Sequence, residues 1–321
     1  MFSTTTLVDI SQLIVSFVII WIAAGVLIRS VEKLSKLLRF SQFMLSLFLL
    51  GTATSFPEIA VLINSLILKQ PEVSMGNLVG GQIFLLFLII PLLAIVTRGM
   101  KLLKEMQGRL LILILAVIAA PLLTLIDGRV QVGEGVLTLS LYLIFVVIFS
   151  RKMTVLERIK KKFVPPKNMN VWAELARVAT CVIVLFAATQ LAIRGVTGLS
   201  VHLQLHPFLV SMVIMSLGTN LPEFSLVMRA AMRNKRDIAL GNYIGSATMN
   251  TLLWAILSIV ARGNITLSSS VTPMIMLIAV GLIVFWWFCR TQKQLNVKEG
   301  IILISVYVAF LVMTYWLELG F

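Results

Sequence analysis

Apolar residues run in ten long stretches along the chain, near 10–28, 41–67, 73–97, 108–126, 132–150, 173–195, 207–230, 238–261, 271–289 and 300–319. A helix needs about 20 apolar residues to cross the hydrocarbon core of a bilayer. The pattern therefore predicts an all-α integral membrane protein of ten transmembrane helices. The connectors that remain are too short for a soluble catalytic domain. Residues 1–9 carry no basic residue ahead of the first apolar run. That run lacks the charged start of a cleavable secretory signal and is expected to be a mature helix.

Composition agrees: 59% of the 321 residues are hydrophobic and only 12% are charged. Soluble domains carry about 25% charged residues. A net charge of +14 suggests nucleic acid at first sight, but a chain this apolar cannot present the hydrated basic face such binding needs. The basic residues instead report orientation. Connectors after odd-numbered segments hold 22 of the 27, those after even-numbered segments hold four (Lys69, Arg129, Arg194 and Arg262), and Arg177 lies inside the sixth segment. The excess of Lys and Arg marks cytoplasmic loops, so both termini are expected outside. Cys181 and Cys289 lie in apolar stretches and read as packing residues rather than a disulfide or zinc pair.

The longest connector, 151–170, holds a basic run at 158–162 and the pair Pro165 and Pro166. It separates 1–150 from 171–321, five segments each. It reads as a solvated topology determinant, with anionic-lipid binding as the alternative. The two halves share an ungapped repeat at an offset of 165. Ala-Thr-Ser-Phe-Pro-Glu at 53–58 matches Gly-Thr-Asn-Leu-Pro-Glu at 218–223, and Gly-Asn-Leu-Val-Gly-Gly at 76–81 matches Gly-Asn-Tyr-Ile-Gly-Ser at 241–246. The second and seventh segments run in opposite directions by the charge count. The halves are therefore expected to be inverted repeats, an architecture of secondary transporters whose ion sites lie near the midplane.

Of the 13 acidic residues, only Glu58 and Glu223 fall deep in apolar segments. Each costs about 2.5–3.5 kcal/mol at the bilayer centre, so such residues face a cavity or a partner. No Lys or Arg lies at that depth to pair with them, which leaves a bound cation or a proton. Pro57 and Pro222 cannot donate to the carbonyls of Ala53 and Gly218, so each helix should open there. Irregular backbone at this depth must line a cavity. Freed carbonyls, two carboxylates and the hydroxyls of Thr54, Ser55 and Thr219 make a hard-oxygen environment suited to calcium or sodium. Gly76, Gly80, Gly81, Gly241 and Gly245 permit close helix approach, and Ser246 and Asn250, four apart, share a helix face. His202 and His206 read as solvated residues of an external connector.

The paired Gly-Thr-Ser-x-Pro-Glu and Gly-Asn-x-x-Gly-Ser signatures, in ten segments of two inverted halves, resemble the sodium/calcium exchanger family of the cation:cation antiporter superfamily. The resemblance implies antiport of calcium against sodium, sodium with potassium, or protons, by alternating access. It implies a multi-pass protein of a prokaryotic inner membrane, with inorganic cations and the bilayer as its partners, no cofactor beyond the transported ions, and a monomer sufficient for transport. It also implies cation-ligand roles for Glu58 and Glu223, for Thr54, Ser55, Thr219 and Asn220, and for Ser246 and Asn250, within motif regions 53–85 and 218–250. The first and sixth helices would slide as a pair. Gly81 stands where the family carries Ser, Leu85 where it carries Asn or a carboxylate, and Asn220 where the signature has Ser. The site thus loses side-chain oxygens, which makes proton coupling an open alternative to sodium. Two other classes compete: an intramembrane acid protease, which would need both carboxylates on one water and whose Gly-x-Gly-Asp type motif is absent, and a degenerate carrier kept as a sensor or structural subunit.

Overall fold

The computed structural model describes residues 4–35, 45–102, 108–157, 170–262, 265–266, 271–292 and 294–318. The basic run and prolines of the long connector lie outside them. The helices are α1 (Thr4–Ser35), α2 (Leu47–Thr54), α3 (Phe56–Ile67), α4 (Pro71–Val96), α5 (Arg109–Leu123) and α6 (Val132–Glu157). They continue as α7 (Val171–Leu203), α8 (Pro207–Thr219), α9 (Leu221–Met232), α10 (Arg236–Val260), α11 (Thr272–Gln292) and α12 (Val297–Glu318). Among the described residues, seven helices are long and apolar enough to cross a membrane, or nine if α2–α3 and α8–α9 each form one bent span. The 15-residue α5 is apolar but shorter.

Two of the apolar stretches, 41–67 and 207–230, are broken beside Pro57 and Pro222, where an opening is expected. The axis bends by 47° between α2 and α3 and by 44° between α8 and α9. The cause is the proline second in each following helix, Pro57 and Pro222, which removes a backbone donor and crowds the preceding turn. Wider π turns at Leu45–Leu50 and Ser211–Met215 lie just upstream, a distortion frequent at functional sites. Both following helices are 12 residues long. Each then turns back in the same way. Lys69 and Asn234 take left-handed backbone conformations, φ 57° and 55°. Gln70 N–H donates to the Ser65 carbonyl, and Lys235 N–H to that of Ala230, each at 2.8 Å. These bonds satisfy helix-end carbonyls in both copies.

α4 and α10 are the central helices. About three quarters of their apolar windows are buried (78% and 72%), against a third or less for α1, α6, α7, α11 and α12. The glycines explain the close fit. A Cβ on Gly76 or Gly80 of α4 would overlap the carbonyl oxygen of Phe208 or Met212 on α8, and one on Gly245 of α10 would overlap that of Leu47 on α2. Apolar side chains of the outer helices point outward, Trp172, Leu137, Ile183 and Met276 among them, as lipid contact requires.

α1 and α7 pack antiparallel along their length. Leu13 lies against Gly195. At one end His202 sits 3.2 Å from Asp9, and at the other Glu174 accepts from Lys33 at 2.8 Å and from Arg177. His202 is thus in the last turn of α7 rather than in a solvated loop. His206 caps α8, its Nδ1 accepting from Phe208 N–H at 3.2 Å. Cys181 and Cys289 are buried free thiols, consistent with packing roles.

Four two-residue strands tie the connectors together: β1 (Met100–Lys101), β2 (Arg129–Val130), β3 (Ile265–Thr266) and β4 (Gln294–Leu295). β1 pairs with β4, placing Met100 opposite Leu295, and β2 with β3, placing Val130 opposite Ile265. Adding the sequence offset of 165 to Met100 gives Ile265, and adding it to Val130 gives Leu295. One pairing is therefore the other with the halves exchanged. The charge count assigns the connectors joined by β1–β4 to one face of the membrane and those joined by β2–β3 to the opposite face.

Candidate ion site

The two helix breaks meet the two central helices at the centre of the bundle. Thr54 and Ser55 end the first broken segment, and Glu58 lies in the first turn of α3. Thr219, Asn220 and Glu223 occupy the same places at the second. From the central helices come Ser246 and Asn250. All eight are no more than 1% exposed.

The contacts cross between the halves. Thr54 Oγ1 lies 2.8 Å from Ser246 Oγ and donates to Asn242 Oδ1 at 3.4 Å. In the other half Thr219 Oγ1 donates to Asn77 Oδ1 at 2.9 Å. Thr54 and Thr219, and likewise Asn77 and Asn242, are 165 apart, so these two bonds are again one contact with the halves exchanged. Each threonine hydroxyl spends its proton inside the protein, which leaves oxygen lone pairs for a cation. Ser55 does the same, donating to the Gly51 carbonyl at 3.0 Å.

The carboxylates are different. All four oxygens of Glu58 and Glu223 are buried and make no hydrogen bond of standard geometry among the described residues. Both amide atoms of Asn250 and Oε1 of Gln82 are likewise unpartnered. Leaving a buried polar group unsatisfied costs about 1–3 kcal/mol, and more for a charged one. Four orphaned carboxylate oxygens on the two helix breaks favour a positive charge there, beside orphaned amide nitrogens on Asn77, Asn242 and Asn250. Two carboxylates with neutral hydroxyl and amide oxygens form a hard donor set, suited to calcium or sodium rather than to soft metals.

Asn77, Asn242 and Gln82 were not among the residues singled out from sequence. The two asparagines had a signal, standing as identical residues at matched places in the repeat. Gln82 had none; it is placed by its Nε2 donating to Thr251 Oγ1 at 3.1 Å. Leu85, by contrast, packs in the apolar core in the π turn Leu85–Ile89 and brings no oxygen.

A bundle with broken helices, crosswise contacts and a buried pair of carboxylates defines a membrane carrier of cations. The chain belongs to the sodium/calcium exchanger family, whose pattern matches residues 9–151 and 174–316, one match in each half. It is 22% identical to the inner membrane protein YrbG of Escherichia coli (strain K12) over 323 residues, covering 95% of this chain and 96% of that one. Solved exchangers share its fold, these two among them. The sodium-calcium exchanger NCX_Mj aligns with a TM-score of 0.65 at 20% identity, over 96% of this chain and 98% of that one. The H+/Ca2+ exchanger CAX aligns with a TM-score of 0.73 at 14% identity, over 97% and 84%.

Proposed function

We propose that this protein is a secondary active antiporter that exchanges calcium, or a related divalent cation, for sodium by alternating access at a single midplane site. The observation that carries the reading is the pair Glu58 and Glu223, one from each half, buried without partners beside two proline-broken helices. Two carboxylates carry the charge that one divalent ion neutralises, and the surrounding oxygens of Thr54, Ser55, Thr219, Asn220, Ser246 and Asn250 complete its shell. Calcium takes six to eight oxygens.

In this reading the ten apolar segments are ten spans, α5 among them, in two five-helix repeats inverted about an axis in the membrane plane. The exchanged ribbons and threonine contacts support it, since a two-fold axis generates such pairs. Both termini lie outside an inner membrane, and one chain suffices for transport. α1 and α7, paired along their length and tied at both ends, are the unit that moves past the rest.

A second reading, proton coupling, is favoured by one observation. Gly81 and Leu85 bring no side-chain oxygen, and no third His, Cys, Asp or Glu joins the carboxylate pair among the described residues. Protonation of two glutamates would discharge the same site without any sodium ligands. Purified protein in vesicles separates the two. With calcium outside, an outward sodium gradient at equal pH should drive uptake, and an outward proton gradient without sodium should not. Uptake driven by the proton gradient alone would establish the second reading. Uptake of no divalent ion under either gradient would contradict antiport.

A further inference from the structure

The two helix breaks are built alike but are not chemically alike. Ser55 stands at the first, and Asn220 at the same place in the second. On the facing helices the corresponding positions are Ser246 of α10, whose hydroxyl meets the first break at Thr54, and Gly81 of α4. A Cβ on Gly81 would stand 2.9 Å from Asn220 Nδ2 and 3.0 Å from Asn250 Nδ2. Both approaches are tight, so a side chain at position 81 requires the two amide groups to shift.

Gly81 therefore differs from the other glycines of the central helices. Gly76, Gly80 and Gly245 are held to glycine by backbone of a neighbouring helix, whereas Gly81 faces the amide ends of two side chains. The space in question belongs to Asn220. Its amide is fixed there by Nδ2 donating to the Ser216 carbonyl at 2.9 Å, which leaves the carbonyl oxygen as the acceptor end. Asn and Gly together have as many side-chain non-hydrogen atoms as Ser and Ser. The second break thus carries the same bulk as the first, moved wholly onto one side of the contact. Its oxygen content is changed, one amide carbonyl replacing two hydroxyls.

We propose that Gly81 and Asn220 are a matched pair that sets the ion preference of the site. The pair offers one strong carbonyl ligand where the mirrored side offers two hydroxyls. A single divalent ion gains a hard neutral ligand of the kind calcium favours, while a sodium ion seated at that break loses an oxygen. The proposal rests on the cation-carrier reading above and names the residues that tune it.

The test compares wild type with Gly81→Ser, Asn220→Ser and the double substitution, by thermal unfolding in detergent titrated with calcium or with sodium. Gly81→Ser pushes the Asn220 amide off the Ser216 carbonyl, and Asn220→Ser leaves a gap. Each single change should lower the unfolding midpoint and weaken apparent calcium affinity about 10- to 100-fold, the range for residues that orient metal ligands. The double substitution should recover most of the midpoint, because the bulk is restored, and should shift the calcium-to-sodium affinity ratio toward sodium. Additive losses in the double variant would overturn the pairing. A recovered midpoint with an unchanged affinity ratio would overturn the role in ion preference and leave only packing. If neither cation moves the wild-type midpoint, the carrier reading and the ion preference fall together. Non-additive midpoints would still show the two side chains to be fitted to each other.

Discussion

Glu58→Gln and Glu223→Gln should each abolish gradient-driven calcium uptake while leaving the protein folded. The two carboxylates come from different halves, and both are buried with no hydrogen bond of standard geometry among the described residues. Glutamine keeps the shape and one oxygen but removes a full charge next to the ion. Losing one member of a buried charge pair costs about 2–5 kcal/mol, a weakening of roughly 30-fold to several thousand-fold. The effect should be large at either position, since each carboxylate supplies half of the negative charge facing the ion. Without cation the variants should unfold at or above the wild-type temperature, because a buried and unpaired charge has been removed. Loss of uptake with an unchanged or raised midpoint separates a missing ligand from a misfolded protein. Uptake retained in either variant would remove that residue from the site.

The second large effect is structural. Gly80→Ala and Gly245→Ala should each destabilise the protein by about 2–3 kcal/mol, the upper part of the range for overpacking. In both cases the added methyl meets backbone of a broken helix, Met212 for Gly80 and Leu47 for Gly245, and backbone at a helix–helix crossing cannot rotate away as a side-chain end can. Gly25 of α1 is the control. A Cβ there meets nothing within 4 Å, so Gly25→Ala should change stability by no more than about 1 kcal/mol. Thermal unfolding of the three variants measures this. A Gly80 or Gly245 variant as stable as the Gly25 one would show that the central helices do not approach the breaks as described.

Much of this could be read from residues alone because membranes make certain residues costly. Glu58, Glu223, Pro57 and Pro222 stand out against an apolar background, and their common offset of 165 links the halves before any coordinates are known. The same prolines located the bends, although the apolar pattern ran straight through them and gave two continuous stretches. What sequence could not supply was contact between halves. The ribbons of β1 with β4 and β2 with β3 are two residues long, below any periodic signal. Gln82 and the fit of Asn220 against Gly81 exist only where one half meets the other. Gly81 alone looked like a lost oxygen. Set beside Asn220, it is the space in which another oxygen-bearing side chain sits.

The central claim is that Glu58 and Glu223 hold one cation together. Cation-dependent stabilisation of the purified protein tests it most directly. A ligand that binds only the folded state adds about 2.7 kcal/mol at 100 times its dissociation constant, enough to raise the unfolding midpoint measurably. Calcium titrated into the wild-type protein should raise the midpoint along a single-site curve, and the same titration should do nothing to Glu58→Gln or to Glu223→Gln. If each variant keeps part of the stabilisation, the two glutamates bind ions independently, and the shared site described here is contradicted.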